Sequence, residues 1–90
     1  MDYQHQMQIA NQVANHLIKQ FLGNDDQQLI TTVVRFLWAE NDSNNITLSD
    51  VNDICALADE IFEDIYARPE TQAAYHDYWK ANPISYNPIS

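Results

Sequence analysis

Thr47–Ala67 reads TLSDVNDICALADEIFEDIYA, and at about 100° per residue it separates into two faces. Val51, Ile54, Leu57, Ala58, Ile61 and Ile65 form one stripe with the i, i+3, i+4, i+7 spacing of a helix that packs on a core. Asp53, Glu60 and Asp64 project on another side, with Asp59 and Glu63 beside them. No Lys or Arg falls within the stretch, so nothing inside this helix neutralises the acids. Thr47 is placed to cap the start, with Asp50 three residues on, and Ser49 is a rival cap. Arg68-Pro69 ends the helix, because a residue before proline is pushed out of the helical region.

Working toward the N-terminus, 25–40 holds Leu29, Ile30, Val33, Val34, Leu37 and Trp38 on one broad apolar face, with Phe36 off it. The β-branched run 30–34 also suits a strand, but the three-four spacing persists to Trp38 and favours a helix. Residues 2–22 form another helix, with Tyr3, Met7, Ala10, Ala14, Leu17 and Phe21 as a packing seam that Val13 and Ile18 widen. Its outer face is rich in amides: Gln4, Gln6, Gln8, Asn11, Gln12, Asn15 and Gln20. Gly23 is the expected left-handed cap, and Asn24 or Asp25 opens the next helix. Toward the C-terminus, Pro69 suits the first position of a helix over 69–81, with Glu70 at the positive end of its dipole. That helix presents Ala74, Tyr75, Tyr78 and Trp79 together. Two copies of Asn-Pro-Ile-Ser then flank Tyr86, and their prolines predict an extended or disordered tail over 82–90.

The expected fold is all-α: one small four-helix bundle over 1–81 followed by the tail. Its predicted core is Leu17, Phe21, Val33, Leu37, Trp38, Ile54, Ile61 and Ile65. A hydrophobic fraction of 46% argues against a disordered chain, and a single glycine argues against a turn-rich β fold. Thirteen acids against four bases give a net charge of −9. Phosphate backbones and anionic membranes repel such a chain, and basic surfaces attract it. One cysteine, Cys55, the absence of a basic-then-apolar leader pattern, and no long apolar run predict a cytoplasmic protein without a membrane span.

Chemical sites are sparse. Glu40, Asp42 and Asn44 alternate as oxygen donors in a polar loop, as in a calcium-binding loop. That loop is one residue short, with Asn45 at the glycine position and Asp50 in place of the closing Glu. Glu60, Glu63 and Asp64 lack the Glu-x-x-His pairs of a two-metal bundle, and His5, His16 and His76 share no ligand spacing. The helix start at Ile46–Asp50 has Leu48 and the acidity of small four-helix carrier proteins, but Thr47 stands where they carry the attachment Ser. Only His76 is a conceivable base for Cys55. No metal, no cofactor and no catalytic role are therefore expected. Asp53, Asp59, Glu60, Glu63 and Asp64, with Tyr75 or Tyr78 nearby, are the expected contacts for a basic protein partner, since aromatic rings anchor and carboxylates steer.

Three function classes follow, of which a carrier or enzyme is disfavoured by the sparse chemistry above. The first is a stoichiometric inhibitor or antidote that covers a nucleic-acid-binding surface. By size and charge this is the character of immunity proteins, antitoxins and phage anti-restriction or anti-CRISPR inhibitors. The second is a structural or adaptor subunit that assembles with itself or another chain through helix packing.

Overall fold

The structure, a computed structural model, describes residues 2–23, 25–40 and 46–82. They form four helices: α1 (Tyr3–Lys19), α2 (Asp26–Glu40), α3 (Leu48–Tyr66) and α4 (Pro69–Ala81). No strand occurs among the described residues, so the chain is the all-α bundle its periodicities predict. The expected loop at 41–45, with its calcium-loop comparison, and the expected tail from 83 onward lie outside the described residues.

Local chemistry explains where the helices start and stop. Asp2 caps α1 by accepting the His5 N–H at 2.8 Å, and Thr47 caps α3 by accepting the Asp50 N–H at 3.1 Å. Asp25 accepts the Gln27 N–H at 2.8 Å just ahead of α2, and Pro69 opens α4 as expected. The end of α1 departs from expectation. The left-handed residue is Phe21, at φ 55°, and not Gly23. The Leu22 N–H bonds the Leu17 carbonyl at 2.9 Å and the Phe21 N–H bonds that of Ile18 at 3.1 Å, the paired bonds of a Schellman stop. A side chain in this conformation costs about 1–2 kcal/mol. Aromatic packing offsets it: Phe21 stacks on Tyr78 at 4.2 Å, 2° from parallel, and meets Tyr75 edge-on at 5.1 Å.

Three helices make the core, and α1 and α3 share the largest contact. Gln6, near the start of α1, reaches Asp50 in the first turn of α3. At the other end Tyr75 bonds Leu17 of α1 and packs on Tyr66, at the end of α3. The two helices therefore run parallel, and α2, which joins them in the chain, packs on both. The fourth helix packs at the C-terminal ends of α1 and α3, and Tyr75 is its one buried residue.

Of the predicted core, Leu17, Val33, Leu37 and Ile54 are wholly buried, while Phe21, Ile61 and Ile65 are half-buried. Trp38 is corrected: it is 65% exposed. The buried side of α2 runs through Leu29, Val33 and Leu37, with Thr32 and Phe36 on its flank. A step of about 100° past Leu37 turns Trp38 outward. Phe36, read as off the face, packs instead against the core and lies edge-on to His16 at 5.7 Å. In α1 the buried strip is Gln6, Ile9, Ala10, Val13, Ala14 and Leu17, rotated from the expected seam, so that Tyr3 is 64% exposed. Phe62, outside the predicted stripe of α3, is also buried.

Candidate functional site

The helical register of α3 sets its acids on the side away from the core. Asp53, Glu60, Glu63 and Asp64 are exposed and Asp59 is half-buried. Arg68 approaches Asp64 at 3.8 Å, but both side chains are mostly solvated, and such a pair offsets little of the negative field. At the N-terminal edge, Gln6 donates from one amide nitrogen to Asp50 and to Asp53, each at 3.4 Å. Gln6 thus leaves the amide-rich outer face on which it was predicted. Its three- and four-residue steps to Ile9, Ala10 and Val13 are the signal that places it inward.

Asp50 belongs to the structure more than to the surface. It is buried, and burial alone pushes a carboxyl toward its neutral form. Hydrogen bonding with Thr47 first, then the positive charge of the N-terminus and the Gln6 amide, together outweigh that and hold the Asp50 carboxyl below its ordinary range.

The two tyrosines differ in exposure. Tyr75 is 6% exposed. Its hydroxyl donates to the Leu22 carbonyl at 3.0 Å and, more weakly, to that of Leu17 at 3.3 Å, tying α4 to the end of α1. Burial first, and Tyr66 second, push its pKa up to about 12. Tyr78 is half-buried against Phe21 and lies edge-on to Trp79 at 4.9 Å. Phe62, Tyr66, Tyr75, Phe21, Tyr78 and Trp79 so form a continuous chain of ring contacts. Much of the aromatic crowding in the last third of the sequence serves to hold α4 in place.

Beside this chain lies a cleft of about 810 Å³, between the α1–α2 turn, the end of α3 and α4. Phe21, Leu22, Phe62, Tyr66, Tyr75 and Trp79 line it, with Asp25, Gln28, Glu63 and Gln72 among them. The sequence gives no hint of it, because it depends on how α4 meets the bundle end. Glu63 and Tyr75 are the only predicted site residues in its wall; Asp53, Asp59, Glu60, Asp64 and Tyr78 do not line it.

Comparison with known proteins places the chain in no family. No family, no curated protein and no solved structure matches it. Among the described residues no cluster of three or more His, Cys, Asp or Glu side chains is arranged to hold a metal ion. Burial and then the nearby Asp26 charge push the Cys55 thiol up, away from the reactive thiolate. His76 lies by the bundle end, on α4, and lines a depression with Tyr66 and Trp79; Tyr66 itself stands eleven residues of helix beyond Cys55, roughly 16 Å along the axis of α3. No described helix is long and apolar enough to cross a membrane.

Proposed function

We propose that this chain is a small acidic protein-binding module that occupies the basic, nucleic-acid-binding surface of a partner, as a stoichiometric inhibitor or antidote acting in the cytoplasm. The outward face of α3 supports this reading: Asp53, Glu60, Glu63 and Asp64 stand exposed on one rigid helix that contains no base. Fixed like charges repel one another, and an opposite surface relieves that repulsion while steering accelerates the encounter. The general character is that of immunity proteins, antitoxins and phage anti-restriction or anti-CRISPR inhibitors. The first step is capture of the partner from the native host with identification by mass spectrometry. Glu60→Lys combined with Asp64→Lys then slows association with that partner, while circular dichroism shows an intact fold. Association at the wild-type rate in low salt would sink this reading.

A second reading has its own observation. Ile30 and Trp38 are 49% and 65% exposed on α2, with half-buried Val34 between them at four-residue steps. That apolar stripe suits an adaptor that assembles through helix packing. Salt separates the two readings, since steered acidic binding weakens steeply with ionic strength and apolar assembly does not.

A further inference from the structure

We propose that the aromatic cleft at the bundle end receives an arginine side chain of the basic partner, an inference that rests on the function proposed above. The cleft is large enough for a side chain, at about 810 Å³, and Phe21, Phe62, Tyr66, Tyr75 and Trp79 contribute rings to its walls. Tyr66 is held by Phe62 at 5.8 Å and by Tyr75 at 4.9 Å, so its plane is fixed before anything binds. Trp79, 36% exposed and edge-on to Tyr78 at 4.9 Å, lines the cleft from α4. Ring faces attract cations, and a guanidinium stacks on them with little loss of hydration.

Charge selects the same occupant. Among the described residues no Lys, Arg or His lines this cleft, whereas Glu63 and Asp25 do. Lys80 and His76 line an adjoining, more open depression that shares Tyr66, Gln72, Tyr75 and Trp79 with the cleft. One Asp25 oxygen is engaged with the Gln27 N–H, so Glu63, exposed at the rim, is the carboxylate free to pair. A carboxylate asks for N–H donors, which a guanidinium supplies in a planar fork and a quaternary ammonium lacks. A phosphate or a carboxylate ligand would meet two like charges and no base. The cleft and the α3 face adjoin at Glu63, so one basic surface can engage both: distributed charge along α3 and one inserted side chain at its end.

The test uses the indole as reporter. The chain has two tryptophans, and Trp38→Phe, at an exposed position, leaves Trp79 as the only one. This variant is titrated with the blocked tripeptide Gly-Arg-Gly, with its citrulline counterpart, and with tetramethylammonium chloride at matched ionic strength. The expected result is a saturable change in Trp79 emission with a dissociation constant on the order of millimolar, as befits one side chain. Citrulline, the neutral isostere, and tetramethylammonium bind at least about tenfold more weakly, and Glu63→Gln weakens the arginine peptide by about five- to tenfold. The absence of saturation, equal binding of citrulline or tetramethylammonium, or an unchanged affinity in a folded Glu63→Gln variant each overturns the proposal. The measurement needs no partner and leaves Glu60 and Asp64 untouched. An inert cleft with a charge-sensitive partner interaction rejects this inference alone, and the reverse outcome rejects the role of the α3 face alone.

Discussion

Tyr75→Phe removes one oxygen and leaves the ring in place, so it isolates the hydroxyl that ties α4 to the end of α1. That hydroxyl has one hydrogen, shared between the Leu22 carbonyl at 3.0 Å and the Leu17 carbonyl at 3.3 Å. Leu17 keeps another partner after the substitution, because it still accepts the Leu22 N–H at 2.9 Å. The loss therefore falls on the Leu22 carbonyl, which is half-buried. A neutral hydrogen bond contributes about 0.5–1.5 kcal/mol, and an acceptor left in a partly dry site costs about 1–3 kcal/mol. The half-buried position argues for the lower part of that range, and we expect a loss of about 1–2 kcal/mol. At roughly 4–8 °C per kcal/mol for a domain of this size, the melting temperature falls measurably. Urea unfolding followed by far-UV circular dichroism gives the difference, with the slope unchanged if the native state stays compact. The alkaline limb supplies an internal check. Tyr75 has its pKa raised to about 12, whereas an unfolded tyrosine titrates near 10. Between these values the native state binds more protons than the unfolded one, so this group's contribution falls as pH rises. The gap between wild type and Tyr75→Phe should accordingly narrow from about pH 10 toward about 12. A loss under about 0.5 kcal/mol at neutral pH, or a gap that widens in alkali, would refute the role given to this hydroxyl.

Two other expectations concern the core and its acid sensitivity. Ile54→Ala should cost about 2–5 kcal/mol, and Ile61→Ala clearly less, because Ile54 is wholly buried and Ile61 only half so; equal melting temperatures for the two would show that the buried side of α3 has been misplaced. Asp50, held below its ordinary range, contributes stability that is present above the unfolded pKa of about 3.9 and is lost as pH falls through the lower folded value. Asp50→Asn should flatten the acid limb of a stability–pH profile, and an unchanged limb would remove Asp50 from that account.

What the sequence foretold and what it did not divide along a physical line. Helix positions follow from periodicity and caps, which are local, and Thr47 and Pro69 act where their chemistry puts them. The rotation of each helix about its axis depends on its neighbours. Trp38 and Phe36 exchange their expected roles because a broad apolar face on α2 offers more than one way to turn inward. Gly23 was the natural left-handed stop by propensity, yet Phe21 takes that conformation, since its ring has Tyr78 and Tyr75 to pack on and a glycine has nothing to contribute there. The acids of α3 could be placed on one side from spacing alone. The cleft could not, because it exists only where the α1–α2 turn meets the distant junction of α3 and α4.

The parallel run of α1 and α3 also fixes when the molecule can acquire its core. The bond from Gln6 to Asp50 spans 44 residues, and that from Tyr75 to Leu17 spans 58. Neighbouring helices in an up-and-down bundle find each other across a short turn, but here the dominant interface awaits closure of a loop that contains all of α2. Closure of a long loop must precede the contacts that reward it, which lengthens the search relative to other helical proteins of this size. On the ribosome, Ile9, Val13 and Leu17 emerge with only α2 to cover them, and they remain adhesive until α3 has left the exit tunnel. The C-terminal half of this chain thus acts as the chaperone of its N-terminal half.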